Sequence, residues 1–113
     1  MLKTVAKLIK LVIRNDVDSA VRYGGEEFLM ILPETDLEGS LVVGERIREA
    51  VEREIIHYED KTIKVTLSVG AACFPENTEK IDDLFKLADN ALYISKSSGR
   101  NRVTPASTPA TVK

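Results

Sequence analysis

The chain has a single cysteine, Cys73, and a single histidine, His57. A lone thiol cannot close an internal disulfide, which excludes a disulfide-stapled scaffold and fits a reducing cytosol. Cys73 stands in an apolar, strand-like stretch and reads as a buried structural thiol, not a nucleophile. His57 has no partner at metal-ligand spacing and reads as a surface residue. A basic excess is also missing: the net charge is −2 over 113 residues. That removes the electrostatic footprint of a nucleic-acid binder. There is no transmembrane span. Lys3, Lys7, Lys10 and Arg14 interrupt the apolar residues 2–13 too often for a signal peptide. No internal repeat is visible.

What is present is ordinary for one small globular domain with a single core: 43% hydrophobic and 30% charged residues. Leu2, Val5, Ile9, Val12 and Ile13 recur at helical spacing, opposite a face of lysines. No Ser, Thr, Asp or Asn precedes this helix to cap it, which reads as a boundary cut within a domain. Thr35 and Glu38 have capping-box spacing, with Thr35 at the cap of the next helix. Leu37, Leu41, Gly44, Ile47 and Val51 trace its buried stripe, and Glu45, Arg46, Arg48, Glu49, Glu52 and Arg53 its solvated face. Ile63, Val65, Leu67, Val69 and Ala71 alternate with polar residues as one half-polar strand. Ile81, Leu84, Phe85, Ala88 and Leu92 mark a last amphipathic helix that Gly99 is placed to end. A short strand over 101–103 closes the domain at residues 1–103. Residues 104–113, rich in Pro, Thr, Ala and Ser, read as a mobile tail.

The stretch that carries chemistry is Arg22-Tyr23-Gly24-Gly25-Glu26-Glu27-Phe28, followed by Leu29-Met30-Ile31-Leu32 and closed by Pro33. Adjacent glycines suit the tight turn of a β-hairpin. Two carboxylates where turn becomes strand, beside bare backbone, could hold a divalent cation next to a phosphate. Taken alone, a solvated surface hairpin explains them as well. Lys96 and Arg100, at the end of the last helix, are open to two readings: interaction with the helix dipole, or a clamp on an anion.

These motifs in order resemble the GGDEF domain of diguanylate cyclases, in its Gly-Gly-Glu-Glu-Phe form. Besides the hairpin, the resemblance rests on Pro33-Glu34-Thr35-Asp36-Leu37-Glu38-Gly39, Glu45-Arg46-Ile47-Arg48 and Thr66-Leu67-Ser68-Val69-Gly70. It continues through Ala88-Asp89-Asn90-Ala91-Leu92-Tyr93 and Lys96-Ser97-Ser98-Gly99-Arg100-Asn101. It implies an α/β (α+β sandwich) fold: a palm-like, ferredoxin-like domain with a mostly antiparallel sheet and helices packed on it. The implied activity condenses two GTP into cyclic di-GMP and pyrophosphate, aided by Mg²⁺ or Mn²⁺. By position, Glu26 would be a metal ligand, and Glu27 would serve the second metal or activate the attacking hydroxyl. Gly24 and Gly25 would let backbone approach the nucleotide, and Lys96 and Arg100 would hold the β- and γ-phosphates. The implied partner is a second such domain in a homodimer, because each contributes one GTP. An upstream sensory domain in the parent protein is implied as well, in a cytoplasmic setting that another domain could anchor to a membrane.

Two departures qualify these expectations. The family's first strand, with its Asp metal ligand, and the helices that read guanine have no counterpart here. The expected arrangement is therefore a truncated domain with exposed strand edges, inactive alone. The alternative is a non-catalytic module that binds GTP, cyclic di-GMP or a protein partner. The family's product-inhibitory Arg-x-x-Asp is also degenerate. Asn15 occupies the Arg position, Arg14 is displaced by one residue, and Asp18 matches. A neutral amide cannot make bidentate guanidinium contacts, so weak product binding through Asp18 and Arg46 is expected.

Overall fold

The N-terminal periodicity forms helix α1 (Leu2–Val12) in the computed structural model, which describes residues 2–14, 17–24 and 27–106. For residues 2, 3, 21–24, 27 and 58 only the backbone is described. Val5, Ile9 and Ile13 of the N-terminal stripe are buried, and Lys7 and Lys10 face solvent. After it come β1 (Ser19–Gly24), β2 (Glu27–Ile31) and helix α2 (Leu37–Arg53). Ile47 and Val51 of α2 close on the α1 stripe. Phe28 and Met30 of β2, together with Val65 and Leu67, cover the same cluster.

The second half contains β3 (Ile56–Tyr58), β4 (Lys61–Ile63), β5 (Val69–Ala71), α3 (Ile81–Ser97) and β6 (Val103–Pro105). The strands pair as three two-stranded ladders: β1 with β2 and β3 with β4 antiparallel, β5 with β6 parallel. The mostly antiparallel pattern agrees with expectation, but the described strands do not join into one sheet. Helix α2 packs against α1 on one side and against β5 and β6 on the other, so it bridges the pieces. Gly44 is the point of approach: a Cβ there would lie 3.3 Å from Val103 Cγ1 and 3.4 Å from Val69 Cγ1. No helix among the described residues is long and apolar enough to cross a membrane.

Several local expectations are corrected. The cap of α2 is Asp36, not Thr35: Asp36 Oδ1 accepts from the Gly39 N–H at 2.7 Å. Thr35 Oγ1 instead accepts from Arg14 Nη2 at 2.9 Å and donates to the Pro33 carbonyl at 3.2 Å. A second acceptor at the start of α2 comes from a distant loop, where Glu76 Oε1 takes the Leu37 N–H at 3.0 Å. The single strand expected over 63–71 is two short strands. Residues 64–68 pack Val65 and Leu67 inward but have no ladder partner among the described residues. The buried line of α3 runs through Ala91 and Ser95, while Ile81 and Phe85 near its start are exposed. The last strand lies two residues later than expected, and Ala106 is fastened beyond it by N–H donation to Ala71 O at 2.7 Å. The folded chain thus extends past residue 103. Buried Asn77 secures this end by accepting from Cys73 N at 2.7 Å and donating to Ala106 O at 3.0 Å. Cys73 is buried and His57 exposed, as the sequence suggests.

Candidate functional site

The hairpin β1–β2 pairs Ser19 with Ile31 through Arg22 with Phe28, then shifts register so that Gly24 faces Glu27. One residue, Tyr23, is therefore extra on β1, which makes a β-bulge next to the turn. Gly24 is a strand residue paired with Glu27, so it does not lie in the turn as the sequence suggested. Gly25 and Glu26 lie between the paired Gly24 and Glu27 in sequence and fall outside the described residues. Glu27 opens β2, and its backbone is what the structure describes. This register sets Gly24 and Glu27 at the end of the ladder, while Ala20, Phe28 and Met30 of the two strands pack against the α1–α2 cluster.

The second part of the candidate site is the end of α3. Lys96, half-buried, lies in the last turn, and Arg100 is exposed just past it. Gly99 has φ of 122°, and the Arg100 N–H returns to Ser95 O at 2.9 Å, which closes the helix in a Schellman motif. Arg100 and Asn101 then continue in the left-handed region at φ 62° and 49°. The Arg100 carbonyl accepts from Arg102 Nε at 3.1 Å. Both backbone groups of Arg100 are thus fastened, while its side chain faces solvent.

A polar chain behind this turn was not legible as such in the sequence. Arg48, read as part of a solvated face, keeps only 14% of its side chain exposed. It donates to both oxygens of Glu45, from Nε at 2.8 Å and Nη2 at 2.6 Å. Its Nη1 reaches Glu52 Oε1 at 3.3 Å and Asn101 Oδ1 at 2.9 Å. Asn101 Nδ2 donates to Glu52 Oε2 at 2.6 Å, and its N–H to Ser68 Oγ at 3.2 Å. The hydrogen bonds from Arg48 hold the Glu45 carboxyl below its ordinary range, and those from Asn101 and then Arg48 do the same for Glu52. Glu45, before Glu52, in turn raises the Arg48 guanidinium.

The residues read as a degenerate inhibitory site lie elsewhere. Asp18 is buried and takes three N–H groups from Arg14: N at 2.8 Å and Nε at 3.1 Å on Oδ2, and Nη2 at 2.8 Å on Oδ1. Arg14 Nη2 also donates to the Pro33 carbonyl at 3.0 Å. This guanidinium ties the end of α1 to the loop before α2. Arg46 is exposed on α2, and Asn15 falls outside the described residues. No group of three or more acidic, His or Cys side chains that could hold a metal occurs among the described residues.

Comparison with known proteins places this geometry. The sequence profile of the family described as diguanylate cyclase, GGDEF domain, matches residues 1–102, and the chain belongs to that family. It is 46% identical over 104 residues to diguanylate cyclase A of Treponema denticola, covering 92% of this chain and 28% of that protein. It is 44% identical over 105 residues to the probable diguanylate cyclase DgcT of Escherichia coli, covering 91% of this chain and 23% of that protein. Among solved structures, the GGDEF domain of PA1120 from Pseudomonas aeruginosa superposes with a TM-score of 0.87 at 28% identity, over 94% of this chain and 66% of that one. The active GGEEF domain of a Vibrio cholerae diguanylate cyclase superposes at 0.81 with 30% identity, over 95% of this chain and 67% of that one. The coiled coil and GGDEF domain of DgcB from Caulobacter crescentus, in complex with c-di-GMP, superposes at 0.79 with 33% identity, over 93% of this chain and 56% of that one.

Proposed function

We propose that this chain is the hairpin and phosphate-holding part of a diguanylate cyclase that condenses two GTP into cyclic di-GMP across two facing domains. The observation that supports the reading is the hairpin register, in which Gly24 stands opposite Glu27 at the end of the described ladder. In each of two steps a 3′-hydroxyl oxygen attacks an α-phosphorus, the bond to pyrophosphate breaks and the hydroxyl proton is lost.

Glu26 and Glu27 offer hard oxygen donors, which suit Mg²⁺ or Mn²⁺ better than a softer metal. When bound, such an ion supplies charge neutralisation at the phosphates. Glu27 accepts the hydroxyl proton or completes a second metal position. Gly24 and Gly25 leave room for nucleotide against backbone, and Lys96 and Arg100 hold the β- and γ-phosphates. Asp18 and Arg46 keep a weak contact for product, because Arg14 already occupies the Asp18 carboxylate. A second GGDEF domain supplies the other GTP, and an upstream sensory domain brings the pair together in the cytoplasm.

The test compares this chain and a form extended upstream, each incubated with GTP and Mg²⁺, by chromatography of the nucleotides. The extended form should make cyclic di-GMP at a rate per protein that rises with protein concentration, and this chain alone should make none. Glu26→Gln and Glu27→Gln in the extended form should each lower the rate by about a hundredfold or more. Full activity in both variants refutes the assignment of the hairpin. Absence of product from the unaltered extended form favours a non-catalytic binding module.

A further inference from the structure

Three consecutive residues past α3, Gly99, Arg100 and Asn101, have φ of 122°, 62° and 49°. Glycine adopts such values freely, but a side chain with a Cβ does so at a cost, so a run with two non-glycine members persists only where its surroundings hold it. The surroundings here are specific. Ser95 O holds the Arg100 N–H, Arg102 Nε holds the Arg100 carbonyl, and Ser68 Oγ accepts from the Asn101 N–H. The Asn101 amide is held at both ends, its oxygen by Arg48 and its nitrogen by Glu52.

Arg48 in turn is not free to turn elsewhere. Its guanidinium is a planar fork with two arms engaged on Glu45, which leaves Nη1 aimed at Asn101 and Glu52. The chain Glu45–Arg48–Glu52–Asn101 therefore joins one face of α2 to the turn after α3. Within residues 99–101, the side chain that this scaffolding leaves exposed is that of Arg100. A merely structural turn would not need a large exposed cation at a strained position.

We infer that Arg48 and Asn101 are positioning residues that fix Arg100 for the terminal phosphates of a nucleoside triphosphate. This rests on the reading of Arg100 as a phosphate contact. Arg48 and Asn101 touch no substrate themselves. They act by holding the Arg100 backbone in one conformation, so that the guanidinium meets phosphate without first being ordered.

The experiment is an NMR titration of the protein with magnesium tripolyphosphate, which presents the phosphates without a base. The set is the unaltered protein, Arg100→Ala, Asn101→Gly, Arg48→Lys, and the double variant Arg100→Ala with Asn101→Gly. Glycine accepts the φ of residue 101 without strain, so Asn101→Gly removes the side-chain ties and keeps the fold, which thermal melting checks. Arg48→Lys keeps the charge and loses the fork. Asn101→Gly and Arg48→Lys should each weaken tripolyphosphate by about tenfold, and Asn101→Gly should add nothing once Arg100 is alanine. Two results overturn the inference while leaving the phosphate reading intact. In one, Arg100→Ala weakens binding and Asn101→Gly does not. In the other, the two losses add in full, which makes Asn101 independent of Arg100. Binding unchanged in Arg100→Ala, or no binding by the unaltered protein, refutes the phosphate reading and the inference with it.

Discussion

Asp18 keeps 2% of its side chain exposed and its partner Arg14 keeps 54%. The pair is thus a buried acceptor held by a solvent-facing donor, and screening on the Arg14 side keeps its contribution modest. Hydrogen bonds from the Arg14 side chain lower the Asp18 pKa from its ordinary 3.8, against a smaller desolvation effect. A carboxyl with a depressed folded-state pKa stabilises the fold above the unfolded value and loses that contribution as pH falls through the folded one. Asp18→Asn should therefore be less stable than the parent at neutral pH, and the gap should narrow below about pH 4. Chemical denaturation at neutral pH and at pH about 3 measures both gaps; equal gaps would show that the carboxylate charge is irrelevant. The same residue illustrates a limit of reading by motif. Asn15, Arg14 and Asp18 could be compared with a ligand-binding pattern by spacing alone. Only the folded chain shows that Thr35 and Pro33, roughly twenty positions away, share the Arg14 guanidinium with Asp18.

Helix α3 crosses β5 at backbone contact. A Cβ on Gly70 would overlap the Leu92 N–H and the Ala88 carbonyl, and would lie 2.8 Å from Leu92 Cα. These are backbone atoms, which cannot swing aside. The buried Ser95 hydroxyl seals the same contact by donating to Val69 O at 2.7 Å and accepting from Thr104 Oγ1 at 2.6 Å. Gly70→Ala should thus cost about 3 kcal/mol or more, at the upper end of overpacking effects. Thermal melting would show it, and a melting temperature within about 2 °C of the parent would mean that the helix can lift off the strand. Helices were the most legible elements, because their stripes repeat over several turns: Val5, Ile9 and Ile13 in the first, Gly44, Ile47 and Val51 in the second. The hairpin β1–β2 was legible from its glycines and from Pro33. The hairpin β3–β4 was not, since three-residue strands give too little alternation to register and Glu59, at φ 55°, carries no glycine signature. Asp36 and Thr35 are both good caps by type, and what decides between them is that Arg14 engages Thr35. The burial of Arg48 was illegible for the same reason: its partner Asn101 is 53 residues away.

At the scale of the whole molecule, the two parts of the proposed site are on different ladders. Gly24 and Glu27 end the β1–β2 ladder, and the Arg100 turn precedes β6 of the β5–β6 ladder, with no strand pairing between the two ladders among the described residues. Helix α2 is what they share. Ile47, with no exposed surface, and Val51, at 1%, pack into the cluster that carries the hairpin, while Gly44 meets Val69 and Val103 on the other side. Removing side-chain volume at Ile47 should therefore loosen both ladders, not one. Ile47→Ala should lose roughly 2–5 kcal/mol, the range for a large core aliphatic cut back to a methyl. Native-state hydrogen exchange read by residue decides how that loss is distributed. If α2 makes one cooperative unit, the amides of Leu29 and Met30 and those of Gly70 and Thr104 should lose protection by the same factor. Protection lost at Leu29 and Met30 but kept at Gly70 and Thr104 would mean that the hairpin opens by itself. The distance between its carboxylates and Arg100 would then be set by something other than α2.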